Sequence, residues 1–355
     1  MSKRKLFVTS RDIAQRLGIS AASVSLALNN RPGVSAGTRA RVLEEARNAG
    51  LLSEPENEKR RKILFLEYRK NGQGSNQSYF SQTFSSVIEG VERQARCKEC
   101  ELSILTADAE NFEEVTGSID RRGTAGLLVL ATEMEEEKIL LLDRLRLPMV
   151  VLDNYCERAD LNCVMLNNEQ GVELAISHLV SRGHERIGYI HVEGDAVNFR
   201  ERYFGFRRAM ELHSLPIREE DIIRFSTLYG GEAVFWELKK KMEGRHQMPT
   251  AFFADNDIIA VYAIKVLREL GFRIPEDVSV VGFDDIPIAG LVEPPLTSVS
   301  TSKQELGNCA VNQLVNLMDG QVDGVQKTAI KTRLIERKSV RDMGGRQRSG
   351  TGGKK

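Results

Sequence analysis

Polar residues follow short apolar runs: Asp153 after VVL, Asn256 and Asp257 after FFAD, and Asp284 and Asp285 after VVGF. Arg202 lies in the RERYFGF stretch that opens a helix after RIGYIH. A carboxylate that accepts from two hydroxyls and an arginine that donates back hold a vicinal diol, and an aromatic ring covers the apolar face of a sugar. Candidate rings are Tyr79, Phe84, Tyr155, Phe199 and Trp236. Phe84 and Trp236 lie in helical patterns that suit a core, whereas Tyr155 and Phe199 stand beside the polar positions. Asp257 and Asp285 also suit the capping of a helix that follows a strand.

The elements that position these groups are legible from periodicity. The runs KILFLEY, AGLLVLA and LPMVVLD, then RIGYIH, TAFFAD and DVSVVGFDD, alternate with helix-like stretches. That is the rhythm of β-α units building parallel sheets flanked by helices. Two such sets imply two lobes with a cleft, and ligands of open α/β sheets bind at the carboxyl ends of strands.

A different chemistry occupies the head of the chain. Thr9 suits the cap of a first helix with Asp12 in its first turn, Ile13, Ala14 and Leu17 form its apolar face, and Gly18 suits a left-handed end. Ser20 then caps a second helix with Val24, Ala27 and Leu28 facing inward. Ser35 caps a third with Thr38, Val42 and Ala46, and Arg39, Arg41 and Arg47 interleave there as candidates for phosphate. Three short helices bury a core only together, and two of them around a tight turn have the form of a helix-turn-helix reader of DNA.

Charge agrees with this division. Net charge over 355 residues is zero, but residues 1–62 hold 13 Lys/Arg against 6 Asp/Glu and residues 338–355 hold 6 against 1. A basic head on an acidic body directs the head alone to phosphate. In the basic run Lys59, Arg60, Arg61, Lys62, Arg60 and Arg61 are further phosphate candidates, with a charged tether as the other reading. The tail RDMGGRQRSGTGGKK reads as a disordered, solvated end.

Other classes find little support. No run approaches the apolar length of a membrane span and no signal peptide is legible, so the expectation is a soluble cytoplasmic protein. Cys97, Cys100, Cys156, Cys163 and Cys309 are scattered, and the single C-x-x-C has no second pair beside it. His178 and His184 lack any metal-binding or catalytic spacing, and no glycine-rich phosphate loop follows Ile63. The expectation is no enzyme, no cofactor and no metal.

The run T-x-x-D-I-A…L-G-I-S…S-V-S-x-A-L-N, followed by V-S-x-x-T-R-x-R-V, resembles the headpiece of the lactose and galactose repressor family. Further landmarks are A-G-L-L at 125–128, R-G-H-E-R-I-G-Y-I at 182–190, R-x-x-G-F at 202–206, G-F-D-D at 282–285 and P-P-L-T-S-V at 294–299, so the resemblance spans residues 9–339. It implies an α/β fold: a three-helix helix-turn-helix headpiece over 1–54, a short basic linker at 55–62, a two-lobed periplasmic-binding-protein-like core over 63–339, and a tail at 340–355. It implies that Thr9, Ser20, Ser23 and Ser25 contact phosphate or cap helices, and that Ala21, Ala22 and Leu26 face the groove. Apolar contact, for instance with thymine methyls, is the readout open to those three. Asn29 is a candidate polar contact at the helix end or the cap of its own helix.

By the same resemblance Asp153, Arg202, Asn256 and Asp284 line the pocket of a small effector, with Tyr155, Phe199 and Asp257 beside them. Family members that bend DNA carry Asn-x-x-Ala-x-x-Leu after the third helix, whose leucine wedges into the minor groove. Here Leu51, Leu52, Ser53, Glu54 and Pro55 lead to PENEKRRK with no such leucine. The implied function is a ligand-responsive repressor of operator DNA, acting as a homodimer through surfaces such as VYAIKVLREL and FSSVIEGV. Pentoses, hexoses, uronic acids and nucleosides suit the pocket residues alike. The alternative is a constitutive repressor whose pocket takes no effector.

Overall fold

Helix caps divide the head into three. The computed structural model describes residues 9–29, 31–49, 60–70, 78–194, 196–225, 231–245 and 247–344. Helix α1 (Ser10–Leu17) starts where the Thr9 N–H and Oγ1 both donate to Asp12 Oδ2 at 2.7 Å. It ends at Gly18, whose φ of 65° lies in the left-handed region open to glycine. Ser20 Oγ accepts from the Ser23 N–H to begin α2 (Ala21–Leu28), and Ser35 Oγ accepts from the Thr38 N–H to begin α3 (Ala36–Asn48). Ile13, Ala14, Val24, Ala27, Val42 and Ala46 form the small common core.

The chain forms two compact units, Met1–Arg61 and Lys62–Lys355. The second begins with β1 (Lys62–Arg69), α4 (Ser78–Cys97), β2 (Glu101–Asp108), α5 (Phe112–Gly117), β3 (Gly126–Leu130), α6 (Glu136–Asp143), β4 (Met149–Leu152) and β5 (Asn162–Leu166). A second lobe follows with α7 (Asn168–Ser181), β6 (Ile187–Val192), α8 (Val197–Leu212), β7 (Ile222–Phe225), α9 (Gly231–Met242), β8 (Ala251–Ala254), α10 (Asp257–Glu269), β9 (Ser279–Asp284), α11 (Ile288–Leu291) and β10 (Thr297–Thr301). The chain then returns to the first lobe as α12 (Lys303–Met318) and β11 (Lys327–Ile330), and ends in the second as β12 (Thr332–Ile335).

The strand orders are β11-β5-β4-β3-β1-β2 and β12-β10-β9-β8-β6-β7, parallel throughout except for β12 against β10. The central strands of both sheets are buried on both faces, as parallel sheets require. Along β1, Ile63 and Phe65 enter one core cluster while Leu64 and Leu66 enter the other, the two-residue alternation of a strand. Three single-residue crossings, at 167, 302 and 331, join the lobes. The sequence runs suggested two consecutive sets, and the structure interleaves them.

On the first lobe α4 packs against α12 through glycine. A Cβ at Gly307 would lie 2.8 Å from the Val91 nitrogen and nearer still to the Val87 carbonyl, and one at Gly90 would strike the Gln304 backbone. That close approach fixes the start of α12, and with it Lys303, at the lobe junction.

Some expectations need correction. The core does not stop at 339: Val340 packs with the second lobe's core, the Arg341 N–H donates to Ser279 Oγ at 2.9 Å, and the Met343 N–H donates to the Arg182 carbonyl at 2.8 Å. Residues 340–343 are therefore held by packing and hydrogen bonds to the second lobe, and the tail beyond 344 lies outside the described residues. The linker reading at 50–59 also lies outside them, as do the side chains of Tyr79, Phe84 and Arg47. Trp236 is 60 % exposed on α9 instead of serving the core. His184 is buried, with Nδ1 2.9 Å from Thr250 Oγ1 and Nε2 3.2 Å from the Arg341 carbonyl. Burial lowers its pKa to about 4, so it stays neutral at ordinary pH.

Candidate functional site

In the head, α2 presents Ala21, Ala22 and Ser25 as exposed side chains, while Ser23 and Leu26 are half-buried. Small side chains on an exposed helix face permit close approach to a groove, and none of them imposes the bidentate pairing of Arg, Asn or Gln with a purine. Asn29 Nδ2 donates to the Ser25 carbonyl at 2.9 Å, so it caps its own helix. Arg39 departs from the phosphate reading. Its Nη1 donates to the Leu26 and Ala27 carbonyls at 3.3 and 3.2 Å, and its Nη2 to the Arg31 carbonyl at 2.6 Å. The last carbonyls of α2 keep a second lone pair for that guanidinium, and the negative end of the helix dipole favours it there. Arg60 is exposed and Arg61 half-buried, immediately before β1.

In the core unit the carboxyl ends of β4, β8 and β9 converge with α8 and the start of α12. Asp153 follows β4 with φ of 58°, and Asp284 closes β9 with φ of 101°. Both are left-handed conformations that side-chain-bearing residues seldom adopt, and such strain concentrates at binding sites. Asp153 is buried and its Oδ2 accepts from Thr132 Oγ1 at 2.8 Å. Burial pushes its carboxyl up to about 6, against the Thr132 hydrogen bond and the charges of Lys303 and Arg202. This carboxyl therefore favours the folded state while protonated, and that contribution is lost as pH rises from 3.8 through about 6.

Arg202, 1 % exposed, is the hub. Its Nε donates to Asn168 Oδ1 at 3.0 Å, its Nη1 to the Asp255 carbonyl, and its Nη2 lies 3.4 Å from Asp284 Oδ1. The guanidinium sits 3.9 Å from the Phe283 ring centroid and 5.6 Å from that of Phe199. Phe199 is buried in the second lobe's core, so it backs Arg202 instead of covering a ligand. Beneath this layer Asp255 accepts from the Tyr189 hydroxyl, from His191 Nδ1 at 2.9 Å and from the Val192 N–H at 2.6 Å, which fixes the end of β8.

Two of the expected residues serve the scaffold. Asn256 Oδ1 accepts from the Ile259 N–H at 2.9 Å and so caps α10. Asp257 is wholly buried and accepts from the Ile286 N–H at 2.8 Å and from the Ser298 hydroxyl, tying α10 to β9 and β10. Burial raises its pKa to about 8. Asp285 pairs with Arg337 at 2.6 Å. Tyr155 remains on the cleft side. It lines an acidic recess of about 320 Å³ with Glu133, Glu135, Glu136, Glu137, Glu157 and Arg200 beside Met134, Asn154 and Val197, and Lys327 Nζ lies 3.5 Å from its ring centroid.

The structure thus pairs Arg202 with Asp284 and brings Asp153 within range of their charges, while Tyr155 lines the recess beside Asn154. Sequence reading missed Thr132, Asn168 and Lys303. Asn168 and Lys303 each begin a helix just after a lobe crossing, so a polar residue opening a helix behind a strand was the available signal. Among the described residues no group of three or more His, Cys, Asp or Glu is placed to hold a metal, Cys97 is exposed while Cys100 is buried, and no helix is long and apolar enough to cross a membrane.

Comparison with known proteins accords with this geometry. Residues 176–340 match the periplasmic binding protein-like domain family. The HTH-type transcriptional repressor PurR of Haemophilus influenzae is 30 % identical over 344 residues, covering 94 % of this chain and 99 % of that one. The transcriptional regulator CelR in complex with cellobiose superposes with a TM-score of 0.70 at 24 % identity, over 94 % of this chain and 99 % of that one. The Lac repressor dimer bound to operator and the anti-inducer ONPF gives a TM-score of 0.70 at 21 % identity with the same coverage, a likeness of fold. On the combined strength of the PurR identity, the three-helix head and the interleaved two-lobed core, the chain belongs to the lactose and galactose repressor family and is a DNA-binding transcriptional regulator, not an enzyme.

Proposed function

We propose that this regulator is a homodimeric repressor whose affinity for operator DNA is set by a sugar or sugar derivative held between the two lobes of its core. The observation that carries the reading is the convergence of Asp153 from the first lobe with Arg202 and Asp284 from the second around one cleft. Asp153 accepts from ligand hydroxyls, Arg202 and Asp284 supply donor and acceptor from the facing lobe, and Tyr155 covers the rim. Asn256, Asp257 and Phe199 act behind this layer as cap, tie and backing.

A ligand that bridges both lobes favours the closed arrangement over the open one by its differential contacts, which is the condition for allostery. The single-residue crossings at 167, 302 and 331 are the hinge positions. Exposed Ala21, Ala22 and Ser25 read the major groove, with Thr9, Ser20 and Ser23 capping helices at the backbone.

One head buries little surface, so two heads on a palindrome supply affinity and register. Exposed Leu291, at 83 %, and Ile104 on the edge strand β2 are candidate pairing surfaces. The α10 and α4 stretches put most of their apolar side chains into their own lobes. Selection of sites from random duplex DNA with the full chain is expected to enrich a palindrome. Enrichment of a lone half-site would contradict the dimer, and absence of any enrichment would contradict specific reading.

A further inference from the structure

Lys303 is the first residue of α12, placed at the lobe junction by the glycine-mediated contact of α4 and α12. Its side chain is more than nine-tenths buried, yet its Nζ makes no hydrogen bond. The ammonium lies 3.4 Å from Asp284 Oδ1, the same oxygen that Arg202 Nη2 approaches at 3.4 Å, so one carboxylate oxygen serves two cations. On the same side of the cleft Asp153 Oδ1 is also buried without a hydrogen-bond partner.

An ammonium and a carboxylate oxygen buried with unmet hydrogen bonds both cost stability, and a fold gains nothing from retaining them for its own sake. A ligand that offers an acceptor to the first and a donor to the second meets both needs. Adjacent hydroxyl groups do this with one oxygen accepting and the neighbouring O–H donating. Charge sets the class further: Asp153 and Asp284 balance Arg202 and Lys303, and the recess around Tyr155 adds five glutamates against Arg200, so nothing there calls for an anionic ligand.

We infer that Lys303 is an effector-contacting, specificity-determining residue, and that with Asp153 it selects an uncharged sugar bearing adjacent hydroxyls over the corresponding sugar acid. The inference rests on the effector reading of the cleft given above.

The test uses the full chain, its Lys303→Met and Lys303→Arg variants, and the probes D-galactose, D-glucose, D-ribose, cellobiose, D-galacturonate and D-glucuronate, with affinities from calorimetry and thermal midpoints without ligand. At least one neutral sugar is expected to bind the wild-type chain more tightly than either acid, with a loss of tenfold or more in Lys303→Met and partial recovery in Lys303→Arg. The unliganded midpoint of Lys303→Met is expected to stay level or rise by a few degrees, because Asp284 keeps Arg202 as its cation while an ammonium with unmet hydrogen bonds is removed. A fall of several degrees would make Lys303 a structural partner of Asp284 and overturn the inference. Equal sugar affinity in wild type and Lys303→Met, or tighter binding of the acids, would overturn it too while leaving the effector reading intact. Failure of every probe to bind the wild-type chain would overturn that reading and the inference with it.

Discussion

Replacing Arg202 with alanine is expected to abolish the response of operator binding to sugar and to lower the stability of the core unit by roughly 3–5 kcal/mol, the cost of breaking a buried, hydrogen-bonded charge pair. The side chain is 1 % exposed and joins Asn168, the Asp255 backbone and Asp284, and its guanidinium lies 3.9 Å from the Phe283 ring centroid. Its removal leaves the Asp284 carboxylate buried with Lys303 as its remaining cation among the ion pairs described, and deletes the second lobe's donor to the ligand. Calorimetry is expected to show the core melting earlier. At a temperature where the variant core is still folded, the head should bind operator and ignore sugar. A variant that responds to sugar as the wild type does would remove Arg202 from the pocket.

The complementary change lies in the head. Val24→Asp is expected to abolish operator binding while leaving the sugar-induced thermal shift of the core unchanged. Val24 is fully buried among five other small or branched side chains, Ile13, Ala14, Ala27, Val42 and Ala46. A carboxylate there has no partner among those side chains, and burying an unpaired charge costs more than so small a core supplies. Because residues 1–61 and 62–355 form separate compact units, the loss should stop at the head. Fluorescence anisotropy on a selected operator measures the first effect and differential scanning calorimetry the second. Retained operator affinity would show that this helix is not the reader.

What could be read in advance was local. Thr9, Gly18, Ser20 and Ser35 were legible because a cap depends on residues within one turn of it. Asp153 and Asp284 stood out because parallel strands deliver their carboxyl ends to one edge, whereas Arg202, inside α8, came only from the family resemblance. The partners of each polar group were not, because they come from elsewhere in the chain. Asp257 and Asp153 both follow apolar runs, yet Asp257 meets Ser298 and Ile286 while Asp153 turns a left-handed corner into the cleft. Arg39 has the residue type of a phosphate contact, but the carbonyl end of α2 lies within its reach.

Half-polar strands escaped for a related reason. TSVST at β10 and TRLI at β12 have weak alternation of their own and are held by pairing with β9 and with each other. With them went the interleaving of the lobes, and with that the position of Lys303, which only the return of α12 to the first lobe brings to the cleft.

The most direct test of the whole account is the affinity of the full chain for its selected palindrome, measured by anisotropy with and without saturating neutral sugars. A change of tenfold or more with at least one sugar, about 1.4 kcal/mol of coupling, is the expected result. Unchanged affinity with every sugar that calorimetry shows to be bound, or no sugar bound while operator binding stays tight, would contradict it and leave a constitutive repressor.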